Sequence, residues 1–214
     1  MASTAAGNLW LAEELWNLNA IDFGDFTLGR TAVHSPIYVN VRRLISNPRA
    51  LARCANIIRD ELEALMAMRH PHVHPFSLVA GVPFGGLHVA TAYSLAVSMP
   101  MIYIHPPATE KSDVIEGLYS KGQTCLIIDD LITGGGSILQ TGATLAEAGL
   151  VVKDAVTLID RQEGGRRALK SAGINLVSIL TLEQIANYLM SAGHIEEKLY
   201  RKAMDYVEMR RSAE

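Results

Sequence analysis

Five apolar runs of strand length alternate with helical patterns, and this alternation constrains the fold more than any other feature of the sequence. The runs are almost continuously apolar, as expected for strands that are covered on both faces. They occupy residues 76–82, 100–104, 124–129, 154–160 and 174–180, with helical patterns at 86–97, 137–148 and 165–172. Strands that alternate with helices predict βαβ units. We therefore expect an α/β fold with a mostly parallel sheet flanked by helices.

Further helices are predicted outside this alternating region. Residues 47–68 read as a long amphipathic helix, with Pro48 in its favourable first turn. The stretches NLWLAEELWNL and IEEKLYRKAMDYVEMRR predict one helix near each end of the chain. We expect a single domain over residues 1–214, divided into an N-terminal region of about 1–46, a core of 47–182 and C-terminal helices over 183–214.

Composition and charge exclude several classes of protein. The formal net charge is −3, whereas nucleic-acid-binding domains usually carry a basic excess, so we expect no nucleic acid partner. Cys54 and Cys125 lie far apart in apolar segments, which favours buried thiols in a reducing compartment over a disulfide. The start, MASTAAGNLWLAEELW, has no basic region before its apolar part, unlike a signal peptide. A cytoplasmic location is expected.

Residues 77–104 contain no Asp, Glu, Lys or Arg and need a separate interpretation. A membrane-spanning helix requires about 20 consecutive, mostly apolar residues. The sequence GVPFGG interrupts this segment near its start, and Pro100 interrupts it near its end. We therefore predict a strand, a turn, a buried helix and a second strand here, and no association with a membrane.

The stretch CLIIDDLITGGGSILQTG, residues 125–142, joins a strand to a helix through two acids and three glycines. We expect Asp129 and Asp130 at the carboxyl end of the strand, where ligands bind in open parallel sheets. The turn TGGGS presents backbone N–H groups and the positive end of a helix dipole to a phosphate, and Thr133 and Ser137 add hydroxyl donors. The two acids repel that phosphate and suit hydroxyl groups or a cation instead. Together these residues predict a sugar phosphate site.

The alternative is a tight strand-to-helix connection, in which glycine supplies positive φ values and Asp caps the helix. Two adjacent acids at the end of an apolar strand favour the binding site. The loop is not a Walker loop, because no Gly-Lys-Ser/Thr follows the glycines. It is not a dinucleotide fingerprint either, because the acids precede the glycines.

Residues 125–142 resemble the phosphoribosyl diphosphate (PRPP) motif of type I phosphoribosyltransferases. Three more segments resemble the orotate phosphoribosyltransferase family, including the corresponding domain of uridine monophosphate synthase. They are DFTLGR…HSPIYVNVRRLISNPRAL, VAGVPFGGLHVATAYSLAVSMPMIY and LIDRQEGGRRALKSAGINLVSILTL. The resemblance covers about residues 22–182. It implies the type I phosphoribosyltransferase fold, with an N-terminal hood that contributes to the base site.

The resemblance also implies which residues bind each part of the substrates. Asp129 and Asp130 would bind the ribose hydroxyls, in a PRPP site formed by Asp129, Asp130, Leu131, Ile132, Thr133, Gly134, Gly135, Gly136 and Ser137. The diphosphate would lie against Val82, Pro83, Phe84 and Gly85. Orotate would contact Thr133, Arg161, Tyr38, Val39 and Arg30, with the Arg161 guanidinium on its carboxylate. The plainer alternatives are a surface salt bridge for Arg161 and core packing for Tyr38 and Val39.

The implied reaction converts orotate and PRPP to orotidine 5′-monophosphate and pyrophosphate in UMP biosynthesis, with Mg²⁺ as cofactor. Mg²⁺ keeps several waters and binds mainly through substrate oxygens, so we expect no dedicated protein site for the metal. The resemblance further implies a homodimer, in which apolar residues of the N-terminal helix are covered by a partner or by the core: Leu9, Trp10, Leu15 and Trp16. Association with an orotidine 5′-phosphate decarboxylase is a further expectation.

The chain departs from the family pattern in the loop that follows the strand at 100–104. Family members carry an Arg- and Lys-rich mobile loop there, whereas this chain has HPPATEKSDVIEG at 105–117, with Lys111 as its candidate catalytic cation. Loss of one preorganised donor to a developing anion costs about 2.7–4 kcal/mol. Two functions therefore stay open, an active orotate phosphoribosyltransferase and a catalytically impaired PRPP- or nucleotide-binding regulatory or assembly protein. A different base is a smaller third possibility.

Overall fold

The computed structural model describes residues 8–28, 32–105 and 115–212. Two of the predicted site residues, Arg30 and Lys111, lie outside these ranges, as does most of the atypical loop that contains Lys111.

A six-stranded sheet forms the centre of the structure. Its strands, in chain order, are β3 (Leu78–Gly81), β4 (Met101–Ile104), β5 (Ile115–Glu116), β6 (Thr124–Ile132), β7 (Val151–Asp160) and β8 (Asn175–Thr181). The order across the sheet is β5-β4-β3-β6-β7-β8, and every pairing except β4 with β5 is parallel. A separate antiparallel hairpin of β1 (Ile21–Leu28) and β2 (Ala32–Val39) precedes this sheet. The predicted mostly parallel α/β fold is confirmed.

Seven α-helices and one 3₁₀ helix are described with the strands. The α-helices are α1 (Trp10–Asn17), α2 (Pro48–Met66), α3 (Gly85–Val97), α4 (Gly136–Glu147), α5 (Gly165–Ser171), α6 (Leu182–Ser191) and α7 (Glu197–Ser212). The 3₁₀ helix (Val41–Ser46) connects β2 to α2. Asn47 caps α2, since its side chain accepts a hydrogen bond from the backbone N–H of Ala50.

The continuous apolar runs are explained by burial on both faces of the sheet. Along β6, Leu126 and Ile128 belong to one hydrophobic cluster, while Cys125 and Ile127 belong to a second cluster on the opposite face. Successive side chains of a strand point to opposite faces, so a strand covered on both sides needs an apolar residue at every position. This packing fixes the register of β6 and thereby the position of the acids that follow it.

The structure corrects the predicted end of this strand. We expected Asp129 and Asp130 at its carboxyl end, but β6 continues to Ile132 because it stays paired with β7, where Ile132 lies opposite Asp160. Several elements were not predicted from the sequence, namely the β1–β2 hairpin, the short β5 and the individual helix α6. Polar residues within the hairpin strands hide their apolar pattern.

The N-terminal helix packs against the core of the same chain. Leu15 is fully buried, and Leu9, Trp10 and Trp16 are partly buried against the larger hydrophobic cluster. Arg43 holds the end of this helix by donating to the carbonyl groups of Leu18 and Asn19. We expected the apolar face of this helix to pack against either a partner subunit or the core of its own chain. The structure shows packing against the core.

Among the described residues, no helix combines the length and the apolar character that crossing a membrane requires. The charge-free segment at 77–104 instead forms β3, α3 and β4, as predicted.

Candidate active site at the carboxyl ends of the central strands

The site lies at the carboxyl ends of the central strands, because β3 ends several residues before β6 and β7 do. On one side of β6, the pairing with β3 stops at Gly81, which lies opposite Ile128. On the other side, the pairing with β7 continues to Ile132. From Asp129 onward, the edge of β6 that faces β3 therefore has no strand beside it. This step in the sheet opens the space in which the predicted site residues meet.

A cavity of about 270 Å³ occupies this space. Four chain segments form its walls: the end of β2 with the 3₁₀ helix, the loop before α3 with the first residue of that helix, the end of β6 with the turn that follows, and Arg161 directly after β7. The lining residues from the first segment are Tyr38, Val39, Asn40, Val41 and Arg42, and those from the second are Val82, Pro83, Phe84 and Gly85. Asp129, Asp130, Leu131, Thr133, Ser137 and Arg161 complete the lining.

A second cavity of about 550 Å³ lies over the glycine-rich turn and shares Asp129, Leu131, Thr133 and Ser137 with the first. Its lining includes the remaining predicted loop residues, Ile132, Gly134, Gly135 and Gly136. Each described residue of the predicted PRPP and orotate sites thus lines one or both of these adjoining cavities.

The glycine-rich turn presents the open N-terminus of α4 to the second cavity. Gly135 precedes the helix with φ +82°, a left-handed conformation that favours glycine. In the described structure, no side chain caps this helix. The first N–H groups of a helix have no acceptor within the helix, and the helix dipole adds positive charge at the same place. The turn therefore offers an uncompensated site for an anion.

Asp129 is buried at the junction of the cavities, and the half-buried Asp130 follows it in the first cavity. Asp129 is 7% exposed, and its Oδ1 accepts a hydrogen bond from the backbone N–H of Asp130 at 2.8 Å. Burial raises the pKa of Asp129 well above its usual range, and repulsion by Asp130 raises it further. Burial also raises the pKa of Asp130, although its hydrogen bond with Asp129 and the charge of Arg42 oppose that rise. Ligand hydroxyl groups or a cation would stabilise the ionised pair.

Two glycines at the start of α3, Gly85 and Gly86, allow this segment to approach the acids. A Cβ atom on Gly85 would collide with the carboxylate of Asp130, and one on Gly86 would lie 2.6 Å from the carbonyl oxygen of Ile128. The backbone of these two glycines therefore lies directly against the Asp130 side chain and the backbone of β6. The Pro83–Phe84 peptide bond in the preceding loop is cis.

Arg161 lies at the back of the first cavity and is almost completely buried. Its Nε donates to Glu163 at 2.8 Å, its Nη1 and Nη2 donate to the carbonyl oxygen of Ile37 at 3.2 Å, and its Nη2 also donates to Ser35 at 2.8 Å. These bonds use four of the five guanidinium N–H groups. A single N–H on Nη1 is left for a ligand, so this geometry offers one hydrogen bond to a carboxylate and not the paired bonds of an open guanidinium. The alternative of a surface salt bridge is wrong, because the pair with Glu163 is buried.

Tyr38 and Val39 take different positions in the same wall. Val39 is buried in the larger hydrophobic cluster, whereas Tyr38 is half-buried and packs its ring near that of Phe26, with centroids 5.6 Å apart. The Tyr38 hydroxyl accepts a hydrogen bond from Arg42 at 3.4 Å. Val39 therefore packs in the core and also lines the cavity, whereas Tyr38 lines the cavity with its hydroxyl group bound to Arg42.

Two functional candidates were missed by the sequence analysis. Glu163 is fully buried beside Arg161, and Arg210 of α7 approaches its second oxygen at 3.9 Å. Arg42 lines the first cavity from the 3₁₀ helix. Either residue reads as an ordinary surface charge in the sequence. The only available signal was their position, just after the strand-forming stretches SPIYV and TLID.

Within the described ranges, no cluster of three or more His, Cys, Asp or Glu side chains is arranged to hold a metal ion. The paired carboxylates of Asp129 and Asp130 are the acidic groups of the two cavities.

Comparison with known proteins identifies close similarities. Residues 41–177 match the phosphoribosyl transferase domain family. An orotate phosphoribosyltransferase of Chlamydia caviae is 38% identical over 187 residues, which cover 86% of this chain and 86% of that protein. A uridine 5′-monophosphate synthase of Bos taurus is 32% identical over 203 residues, which cover 92% of this chain but 40% of the bovine protein.

Solved structures show the same relationships. The UMP synthase of Leishmania donovani superposes with a TM-score of 0.82 at 29% identity, over 96% of this chain and 43% of that chain. The orotate phosphoribosyltransferase of Aeropyrum pernix superposes with a TM-score of 0.69 at 31% identity, over 86% of this chain and 99% of that chain. The similarity thus extends over nearly the whole of the shorter relative and less than half of the longer one.

The raised pKa of Asp129 predicts how the unliganded protein responds to pH. Below about pH 4 the carboxyl is protonated in both the native and the unfolded state. As the pH rises from there to the native pKa, only the unfolded chain loses its proton, and the native state becomes relatively less stable. Replacement by Asn removes this penalty. The stability gained by Asp129→Asn should therefore grow with pH, by at most about 1.4 kcal/mol per pH unit.

Urea unfolding at a series of pH values measures this effect, with the exposed Asp205→Asn as the matched control. Stability curves of wild type and Asp129→Asn that run parallel over the series would show that burial imposes no such penalty.

The buried pair of Glu163 and Arg161 predicts a large effect on stability. Glu163→Ala leaves the guanidinium buried without its charged partner, which costs about 3–5 kcal/mol in comparable sites. Glu163→Gln keeps an oxygen that can accept from Nε and should cost less. Urea unfolding compares both variants with Glu208→Ala, which truncates an exposed acid of α7. A loss below about 1 kcal/mol in Glu163→Ala would mean that Arg161 does not depend on this partner.

Proposed function

Because the chain belongs to the orotate phosphoribosyltransferase family, we propose that it transfers the phosphoribosyl group of PRPP to orotate. The products are orotidine 5′-monophosphate and pyrophosphate, and the reaction belongs to the biosynthesis of UMP. The main support is the junction at Asp129, where a cavity built for an anion meets a cavity that contains carboxylates and a buried guanidinium. These protein groups are complementary to a phosphorylated ribose that reacts with a planar base: the turn matches the phosphate, the carboxylates match the ribose hydroxyls, and the guanidinium matches the base.

The two cavities divide the substrates between them. The N–H groups at the start of α4, with the hydroxyls of Thr133 and Ser137, bind the 5-phosphate of PRPP. Asp129 and Asp130 accept hydrogen bonds from the ribose hydroxyls, which offsets the cost of burying two like charges. The loop of Val82, Pro83, Phe84 and Gly85 faces the diphosphate.

Orotate occupies the part of the first cavity that lies against the hairpin. Tyr38 and Val39 contact the base from β2, and Thr133 contacts it from the glycine-rich turn. Arg161 offers its remaining N–H to an orotate oxygen, and Glu163, Ser35 and the carbonyl group of Ile37 keep the guanidinium in place. Arg30 stays a proposed contact, since it lies outside the described residues.

Catalysis in this site depends on positioning and charge. The bond between the ribose anomeric carbon and the diphosphate oxygen breaks, and pyrophosphate leaves with the electron pair. A bond from the orotate nitrogen to that carbon forms, and the proton of the nitrogen passes to solvent. The anomeric carbon passes through an oxocarbenium-like state, comparable to that of glycoside hydrolysis. The chain contributes by fixing the ribose from two sides and by stabilising the departing anion.

The family implies Mg²⁺, and the acidic groups present fit it indirectly. The raised pKa values of Asp129 and Asp130 show a pair of carboxylates that a nearby cation would stabilise. A metal ion held through substrate oxygens beside Asp129 and Asp130 would supply positive charge against the departing diphosphate. Asp129 and Asp130 would then orient the hydroxyl groups that contact the ion.

The sequence of the atypical loop supports a second candidate function. HPPATEKSD at 105–113 contains Lys111 as its one Lys or Arg residue, where family members carry several. A chain without enough positive charge there would bind PRPP or a nucleotide without turning it over, as a regulatory or assembly protein. The ribose and phosphate contacts are the same under both functions, so turnover distinguishes them.

The activity assay follows the loss of orotate absorbance with purified protein, PRPP and Mg²⁺. We expect orotate to disappear in proportion to enzyme concentration. The double variant Asp129→Asn with Asp130→Asn should lose nearly all activity, because its ribose contacts are weakened, and it serves as the control for contaminating enzyme. Constant absorbance at high enzyme concentration, together with PRPP binding in calorimetry, would establish the second function instead.

The proposed function includes an oligomeric state, a partner protein and a cellular location. The chain forms a two-fold dimer, which would cover exposed apolar side chains such as Leu95 (77% exposed) and Leu118 (92% exposed). It also associates with an orotidine 5′-phosphate decarboxylase in the cytoplasm, since related sequences occur within longer UMP synthases. Light scattering at micromolar concentration should give the mass of a dimer, and a larger mass after the decarboxylase is added. A monomer mass in both samples would contradict both associations.

A further inference from the structure

The charges in the first cavity are unevenly compensated. Its lining contains two acids, Asp129 and Asp130, and two arginines, Arg42 and Arg161. The charge of Arg161 is paired with Glu163 in a contact that is buried on both sides. Arg42 is the other arginine of this lining, and within the described residues its hydrogen bonds go to the neutral side chains of Asn40 and Tyr38.

A diphosphate that enters this cavity needs positive charge on the protein side. The two carboxylates repel it, and the facing loop of Val82, Pro83, Phe84 and Gly85 supplies only neutral side chains. Pro83 also lacks an N–H group. Backbone amides of the loop alone would thus have to hold an anion of several charges next to two acids.

Arg42 is placed where it can supply this charge. Its Nε donates to the Asn40 side chain at 3.3 Å, and its Nη2 donates to the Tyr38 hydroxyl at 3.4 Å. These long bonds orient the side chain without neutralising it. Its charge acts on Asp130, whose carboxylate packs against Gly85 of the facing loop. The absence of a side chain at Gly85 is what lets the Asp130 carboxylate lie directly against this segment.

We propose that Arg42 binds the diphosphate group of the substrate and stabilises its negative charge as it departs. A guanidinium donates two parallel hydrogen bonds to phosphate oxygens, which suits this role. The inference rests on the proposed function for the identity of the anion. Under this proposal the positive charge for the diphosphate comes from Arg42 in the cavity wall. The loop at 105–113, by contrast, has one Lys or Arg residue in its sequence.

Binding measurements test this role without turnover. Isothermal calorimetry with inorganic pyrophosphate and Mg²⁺ should show about tenfold weaker binding or more in Arg42→Gln than in wild type, as expected for the loss of a charged hydrogen bond. Arg42→Lys keeps the charge and should recover part of that loss. The affinity for ribose 5-phosphate, which probes the glycine-rich turn and the acids, should change by no more than about twofold in either variant.

Arg49→Gln is the matched control, since it removes the same charge from an exposed position on α2 outside the cavity. Its affinities for both probes should equal those of wild type. Unchanged pyrophosphate binding in Arg42→Gln would overturn the proposal. An equal loss for both probes would also overturn it, because the variant would then have disturbed the acids or the cavity as a whole. Neither result depends on orotate turnover, so a failure of the proposed reaction is recognised separately.

Discussion

The candidate site depends on one feature of strand pairing, in which β6 stays bonded to β7 after β3 has ended. Backbone hydrogen bonds to β7 keep Asp129 and Asp130 extended as far as Ile132, while the neighbouring position on the other side is open at their level. The hydrophobic clusters on both faces of the sheet fix the register of β6. The acids are therefore held by the core itself, and a ligand meets carboxylates whose positions are set before it binds.

This preorganisation has an energetic cost in the unliganded protein. Asp129 is buried next to a second carboxylate, and burial and repulsion both disfavour its ionised form. The contact of Gly85 with Asp130 prevents the acids from relaxing towards the facing loop. A ligand that brings hydroxyl groups and a cation would stabilise the ionised carboxylates, so part of the binding free energy would come from relieving this burial and repulsion.

The sequence predicted the alternation of strands and helices and the glycine-rich turn after β6, because continuous apolar runs and clustered glycines carry strong local signals. Tyr38, Val39, Arg161 and the segment at 82–85 were expected only from the resemblance to the family. The sequence did not predict where β6 ends, since the end is set by pairing with β7 and not by the acids themselves. The surroundings of Arg161 were also beyond local reasoning, because its bond to Ser35 joins positions separated by 126 residues. Arg42 was missed for a related reason, as one of two adjacent arginines looks like surface charge until the 3₁₀ helix turns it towards the cavity.

The contact of Arg210 with Glu163 has a consequence for the order in which the site is completed during synthesis. Glu163 and Arg161 leave the ribosome well before α7, the helix that carries Arg210 and buries Tyr206 and Val207. Until α7 docks, the side of Glu163 that faces this helix is open to water, and the guanidinium that it holds is less firmly fixed. The surroundings of Arg161 are thus complete only after the final helix has docked.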